Sequence, residues 1–329
     1  LDLMKILFAD YKTGLLPGRK HEEEVLTKNH PDWETVFFEY DDNPDAFYRV
    51  LGDADALVTA FLKIDDEVLN HAKKLKLISV DATGYNAIDL DAARKHGVRV
   101  CAVRDYCSDD VAEFAVSLAC ALVKNIKDYN CQIDEQKIWD YSRASPQKRL
   151  SEQVLGIFGL GRIGQKTLRL ARGLGMEVVA YDPFLPEEVS EKLGVRMLSR
   201  EEMFRKCDLL INHMRLTDET KNFFSTSEFS MMREKHPYFI NVARGESVDE
   251  KALLTALDKG FIKGCALDVL QSEHPDLENC PFVGRKNVLL SPHAAFYSQT
   301  SMERLEEITC QNVVSFLEGK HDDVDWFVD

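Results

Sequence analysis

Eight cysteines are scattered through the 329 residues, at 101, 107, 120, 131, 207, 265, 280 and 310, and no two form a C-x-x-C pair. That argues against a zinc ribbon or a thioredoxin-like site, and no metal site is expected. Several lie inside apolar runs, as Cys120 and Cys265 do. Buried free thiols in a reducing, cytoplasmic setting are the expectation. Long apolar stretches are missing as well. Residues 114–123 form the longest uncharged apolar run of note, whereas a membrane span needs ~20 residues. The opening residues have no basic segment followed by an apolar run, so no secretory signal is expected. Basic charge is in deficit, with 41 Lys and Arg against 56 Asp and Glu and a net charge of −15. Such a chain is a poor candidate for binding nucleic acid through its phosphates. What remains is ordinary for a globular protein: 45% hydrophobic and 29% charged residues, in a length suited to one or two domains.

Short apolar runs alternate with helical patterns over the first hundred residues. Residues 5–9, 35–39, 56–59, 77–80 and 98–103 read as strands. Between them, 21–29, 45–51, 65–74 and 89–96 carry helical spacing, with Asp65 and Asp89 as N-caps and Gly97 as a helix stop. Ser108 is expected to cap a long apolar helix that runs to about Asn125. After a polar, basic stretch at 136–149 a second alternation begins. Its strands are expected at 154–158, 177–181, 209–212, 239–242, 264–268 and 288–291, and the last helix at 301–317. Strands alternating with helices imply parallel sheets covered on both faces, so each half reads as a doubly wound unit.

The strand at 154–158 runs into Gly159-Leu-Gly161-Arg-Ile-Gly164 and then a helix. Gly159 permits the tight turn, Gly161 lets a pyrophosphate approach the backbone, and Gly164 lets helix and strand pack closely. Free N–H groups at the helix start would hold the phosphates. The next strand ends in Asp182, 18 residues beyond Gly164, where a carboxylate can accept bonds from the ribose hydroxyls. A carboxylate repels a 2′-phosphate, and residues 183–188 hold no Arg, so NAD is favoured over NADP.

Three later strands each end next to a polar residue: Arg244, Glu273 and His293. Ligands of open parallel sheets sit beyond the carboxyl ends of the strands. An Arg forks onto a carboxylate, a His exchanges a proton near neutral pH, and a Glu can orient that imidazole and favour its protonated form. Together they suit reduction of a 2-keto acid, with hydride from a nicotinamide and a proton from His293. His274 and His213 compete for the acid/base role, and spacing alone leaves the choice open.

These motifs resemble the D-isomer-specific 2-hydroxyacid dehydrogenases, which include D-lactate, glycerate, phosphoglycerate and formate dehydrogenases and the C-terminal-binding-protein corepressors. The resemblance runs from about Leu57 to Leu317. It is strongest in GLGRIG (159–164), NVARGESVDEKALLTAL (241–257), GCALDVLQSEHP (264–275) and SPHAAFYS (291–298). It implies Arg244 as the substrate-carboxylate ligand, Glu273 as partner of the histidine and His293 as acid/base, so neither His213 nor His274 is the catalyst. It also implies a substrate loop at 82–86, where the N–H groups of Thr83 and Gly84 meet the carboxylate, and Tyr106 at the substrate. On the cofactor side it implies Arg162 and Ile163 beside the three glycines, Met214, Arg215 and Thr220 near the adenosine, Val242 and Ala243 next to Arg244, and Asp268 near the nicotinamide carboxamide. Phe61, Leu62, Lys63, Tyr106, Phe296 and Tyr297 are placed along the substrate side-chain pocket by analogy. Arg104 and Arg215 stand where the family usually has Pro, Phe114 where His is frequent, and Phe296 where the corepressors have Trp.

The implied architecture is α/β, with two doubly wound parallel-sheet domains. A discontinuous, flavodoxin-like substrate domain takes residues 1–104 plus 297–329, and a Rossmann NAD-binding domain takes 105–296. The implied activity is NAD-dependent reduction of a small 2-keto acid, by a homodimer joined through the coenzyme domain, with no nucleic-acid or membrane partner. The alternative is an NAD(H)-sensing interaction protein like the corepressors.

Overall fold

The structure, a computed structural model, describes residues 3–12, 20–28 and 30–328. The chain divides into two compact units, Leu1–Tyr106 with Ser298–Asp329, and Cys107–Tyr297. The crossings thus fall one or two residues from the sequence-based boundaries.

The first unit contains β1 (Lys5–Asp10), α1 (Lys20–Thr27), β2 (Glu34–Glu39), α2 (Pro44–Leu51), β3 (Ala56–Thr59), α3 (Asp66–Leu69), β4 (Leu77–Val80), α4 (Leu90–Lys95) and β5 (Arg99–Ala102). All five strands are parallel, in the order β2-β1-β3-β4-β5, which is the flavodoxin-like winding. Strand periodicity decides the two faces. Ile6 and Phe8 enter one core with Cys310, Val313 and Val314 of the unit's final helix, while Leu7 and Ala9 enter the other with Phe47 and Leu51 of α2. Asp65 and Asp89 cap α3 and α4 by accepting from Val68 N and Ala92 N. The helix expected over 65–74 stops at Leu69, because the chain must turn and bury Leu75 before entering β4. Asn29, the last residue of the helix expected over 21–29, lies outside the described residues.

The second unit contains α5 (Ser108–Val123), α6 (Ile126–Asp134), β6 (Val154–Phe158), α7 (Arg162–Gly173), β7 (Glu177–Tyr181), α8 (Glu187–Leu193), β8 (Arg196–Met197), α9 (Arg200–Lys206), β9 (Leu209–Asn212), α10 (Thr226–Met231), β10 (Tyr238–Asn241), α11 (Glu250–Asp258), β11 (Gly264–Leu267) and β12 (Val288–Leu290). The final helix, α12 (Gln299–Leu317), returns to the first unit. The second sheet has seven parallel strands in the order β12-β11-β10-β9-β6-β7-β8. The sequence pattern shows six, because β8 is a two-residue edge strand too short to leave a period. Leu155 and Ile157 face α5 and α7, while Phe158 and Leu210 face Met203, Phe204 and Phe224.

Two local expectations need correction. Ser108 does not cap α5; it is the first helical residue, Cys107 takes the cap position, and no side chain closes the end. The polar segment after α5 also holds a second helix, α6, which starts at the left-handed Asn125 (φ 54°). Cys265 is a buried free thiol as its apolar run implies, and so are Cys101, Cys207 and Cys310, but Cys120, also in an apolar run, is only partly buried, like Cys107, Cys131 and Cys280. Burial pushes Cys207 and Cys265 up to about 12.

Candidate active site

Register brings the chemistry of the second unit to one edge. Phe158 pairs with Asn212, Asn212 with Asn241, Asn241 with Leu267, and Leu267 with Leu290. Five strands therefore end level, and the segments that follow them carry Gly159, His213, Arg244, Glu273 and His293. The strand order reverses between β6 and β9, and a reversal of this kind opens a ligand crevice.

The turn after β6 has the shape a dinucleotide needs. Gly159 has φ +88°, and an ideal Cβ on it would lie 3.0 Å from the backbone of His213 and Met214. A Cβ on Gly164 would lie 2.1 Å from the Gly159 carbonyl oxygen, so only glycine lets α7 start against β6. An ideal Cβ on Gly161 would meet nothing within 4 Å, and no side chain caps α7. That open space beside uncapped N–H groups fits a pyrophosphate. Asp182 accepts from Leu160 N at 2.8 Å and Phe184 N at 3.0 Å. Each carboxylate oxygen keeps a lone pair for a ribose hydroxyl. Arg196, a possible 2′-phosphate ligand by charge alone, is paired with Glu177 at 2.9 Å. The residues present therefore fit NAD.

His293 and Glu273 meet as expected. His293 Nδ1 lies 2.9 Å from Glu273 Oε2, which places the Nδ1 proton toward the carboxylate. Among the described residues Nε2 makes no hydrogen bond. The Glu273 carboxyl sits below its ordinary range, first because of that hydrogen bond and against the opposing effect of its partial burial. The charges of His293, Arg244 and His274 push the same way. Arg244 is thus close enough to act on Glu273 electrostatically, and its guanidinium donates to its neighbour, the Ala243 carbonyl, at 2.8 Å.

Sequence reasoning named Asp268 for the cofactor but missed its bracing role, and it missed the other residues that hold these three in place. Asp268 is almost fully buried, and its carboxylate accepts from Ser291 Oγ at 2.6 Å, Ala294 N at 2.9 Å and Ala295 N at 3.0 Å. It clamps the loop on which His293 sits with φ +52°, a left-handed conformation unusual for a residue other than glycine. The role implied for Asp268, beside the cofactor, is therefore joined by a role inside the protein. Asn212 and Asn241, at the ends of β9 and β10, are buried and bonded to each other at 3.1 Å. Asn212 also donates to Ser247 Oγ, Asn241 donates to the Arg244 carbonyl, and Ser247 Oγ donates to that same carbonyl. A Cβ on Gly245 would lie 1.9 Å from the Leu270 carbonyl oxygen, a backbone contact that cannot yield. Glycine at 245 is what lets the Arg244 segment lie against the segment leading to Glu273. The one available signal was the pair of Asn residues closing two adjacent apolar strands.

The competing histidines differ in their surroundings. Burial pushes His213 down to about 3, and its Nε2 lies 2.9 Å from Thr167 Oγ1, so it is a neutral residue joining α7 to the end of β9. His274 is exposed, and its charge acts on Glu273 from beside the His293 bond. Thr220 braces its own loop, accepting from Thr217 N at 2.7 Å and donating to the Arg215 carbonyl at 2.7 Å. Met214 is buried and its N–H donates to Asn212, whereas Arg215 is exposed. Arg162, Ile163, Val242 and Ala243 flank the glycine turn and Arg244 as the motifs place them. Thr83, Gly84 and Tyr106 belong to the first unit. Thr83 and Gly84 follow β4, and their N–H groups find no acceptor among the described residues, while Tyr106 is buried at that unit's boundary. Lys63 is exposed and paired with Asp65 at 2.9 Å. Among the described residues there is no cluster that could hold a metal ion, and no helix is long and apolar enough to cross a membrane.

Known proteins share this chain's family and fold. Residues 116–295 match the model of the D-isomer specific 2-hydroxyacid dehydrogenase NAD binding domain. A glyoxylate reductase of Korarchaeum cryptofilum is 33% identical over 82% of this chain and 81% of its own. A D-3-phosphoglycerate dehydrogenase of Methanocaldococcus jannaschii is also 33% identical over 82% of this chain, which spans only 51% of that relative's length. The D-lactate dehydrogenase of Aquifex aeolicus, solved with NAD and lactic acid, superposes with a TM-score of 0.84 at 26% identity, covering 98% of both chains. The corepressor-like alternative gains no support from these relatives.

Proposed function

Because the chain belongs to the D-isomer specific 2-hydroxyacid dehydrogenases and takes NAD as its cofactor, we propose that it interconverts a small 2-keto acid and its D-2-hydroxy acid through Arg244, Glu273 and His293. The observation that carries the reading is the 2.9 Å bond between His293 Nδ1 and Glu273, which directs Nε2 to the substrate's needs. The bound dinucleotide supplies the hydride that reduces the carbonyl carbon. His293 Nε2–H donates the proton that the carbonyl oxygen takes up, and Nε2 recovers it in the oxidative direction. Glu273 fixes the ring and balances the imidazolium charge. Arg244 forks onto the substrate carboxylate, and the N–H groups of Thr83 and Gly84 are further donors to it. Gly159, Gly161, Arg162, Ile163 and Gly164 cradle the pyrophosphate, Asp182 holds the ribose, and Met214, Arg215, Thr220, Val242, Ala243 and Asp268 line the rest of the cofactor's path.

The testing experiment is NADH oxidation by the pure protein against glyoxylate, pyruvate, hydroxypyruvate, 2-ketoisocaproate, phenylpyruvate, oxaloacetate and 2-ketoglutarate. Rapid turnover with one of them is expected. Tight NADH binding with silence across the panel would sink the small-acid reading. We also propose a cytoplasmic homodimer. The eight free cysteines suit a reducing compartment, and Ile126, Trp139 and Tyr141 leave a strongly exposed apolar stretch on the second unit. Sedimentation at the mass of one chain would refute the dimer.

A further inference from the structure

The last residues of the chain do something the reaction does not obviously require. Residues 326–328 run antiparallel along the free edge of β5: Ala102 N donates to the Trp326 carbonyl at 2.9 Å and Val328 N to the Val100 carbonyl at 3.1 Å, around a Cys101–Phe327 bridge. Arg99 lies over the Phe327 ring at 4.0 Å. Covering an edge strand would account for this much. Two side chains go further. The Trp326 ring meets Tyr85 edge to face, with centroids 5.6 Å apart. Asp325 accepts from Arg104 N at 2.7 Å, and its carbonyl accepts from Arg104 Nη2 at 3.0 Å. Asp325 is itself held by Asn312 of α12, which accepts its N–H at 2.8 Å.

Tyr85 is the ring next to Thr83 and Gly84, whose N–H groups have no protein acceptor among the described residues. Backbone hydrogen bonds pin the segment on either side of these two. Val103 N donates to the Ala82 carbonyl at 3.1 Å, and Ile88 N to the Tyr85 carbonyl at 3.0 Å. The Asp325–Arg104 contact fixes the residue directly after Val103. The tail therefore grips this loop at its apex through Trp326 and at its base through Arg104. We infer that the segment 325–328 is a strap that positions the substrate-carboxylate loop, with Trp326 and Asp325 as positioning residues acting through Tyr85 and Arg104. This rests on the proposed role of Thr83 and Gly84.

The test compares Trp326→Ala, Trp326→Phe and the native protein by two measurements: hydrogen–deuterium exchange of the 83–86 amides, and the KM of the best 2-keto acid beside the Kd of NADH. Trp326→Ala should speed exchange in the loop and raise the KM by about five- to tenfold, the size expected for losing one aromatic pair. The kcat and the NADH Kd should stay within about twofold, and Trp326→Phe should restore most of both losses. Asp325→Asn, which keeps the backbone strap, should move the same two readouts less and serves if Trp326→Ala fails to fold. Unchanged exchange would overturn the strap directly. Faster exchange with an unchanged KM would overturn it from beneath, by showing that the loop does not bind the substrate.

Discussion

The two sheets share a device and put it to different ends. At the close of β1, Asp10 is buried and accepts from Ala60 N at 2.6 Å and Phe61 N at 3.0 Å, fixing the loop that follows β3. Just past β11, Asp268 is buried and accepts from Ala294 N and Ala295 N, fixing the loop that follows β12. Both carboxylates serve the neighbouring strand's loop. In the first unit that loop presents Lys63 and Asp65, paired with each other at 2.9 Å; in the second it presents His293. A buried strand-end Asp is thus a statement about loop geometry, and the chemistry belongs to whatever the loop carries. The units differ again in what supplies polarity at the strand ends. The first offers backbone N–H groups at Thr83 and Gly84, and the second offers Arg, Glu and His side chains braced by buried amides.

The largest expected effect separates catalysis from binding. His293→Ala should lower kcat by ~10²–10⁴, the usual worth of a general acid–base group, while isothermal titration finds NADH affinity nearly unchanged. A variant retaining most of its kcat would remove His293 from its role. Next, Asp10→Ala and Asp268→Ala should destabilise their units alike, since each strands buried donors at about 1–3 kcal/mol apiece. Only Asp268→Ala should also depress kcat, through misplacement of His293. Equal loss of kcat in both, corrected for unfolded protein, would break the contrast. Third, Asp182→Asn should weaken NADH binding about tenfold or less, the range of a charged hydrogen bond exchanged for a neutral one, and narrow its advantage over NADPH. A constant ratio of the two affinities would dismiss the ribose assignment.

The smallest effect has opposite signs in the two units. Burial lifts Asp81 to about 6, against the hydrogen bond from Thr309 and helped by the charges of Asp10 and Glu306. Its folded pKa lies above its unfolded value, so its stabilising contribution is complete below about 3.8 and is lost as pH rises through about 6. His213 is the reverse. Its folded value of about 3 lies below the unfolded 6.5, so its contribution is complete above about 6.5 and is lost as pH falls toward 3. Between pH 7 and 5, amide protection corrected for intrinsic rate should rise at β4 and α12 and fall at β9 and α7. Asp81→Asn and His213→Gln should each flatten only their own slope. Parallel slopes in both units would refute the difference.

Much of this was legible from residues alone, for identifiable reasons. Long-period signals survived. The glycine turn with Asp182 needs fixed residue types at fixed spacing, and Arg244, Glu273 and His293 each stand next to a well-marked strand. The edge strand β8, the helix α6 and the early end of α3 were lost because each is set by where the chain must go next rather than by its own pattern. The supporting residues were illegible for a different reason. Asp268, Asn212, Asn241 and Ser247 act only when non-adjacent strands are brought into register, and a Gly at 245 becomes necessary only when Leu270 is beside it. Trp326 and Arg104, more than two hundred residues apart, share no local signature at all.

The return of α12 to the first unit has a consequence for how the protein is made. β5 is complete at Ala102, but the helix that covers one face of its sheet begins nearly two hundred residues later, at Gln299. At ~5–20 residues per second, that face waits roughly ten to forty seconds for its cover during synthesis. In that interval Ile6, Phe8, Val58 and Leu77 have no Cys310, Val313 or Val314 to pack against, while the whole second unit emerges and can fold. The order of translation therefore lets the second unit complete its sheet first, while the first unit waits for α12 to close its core.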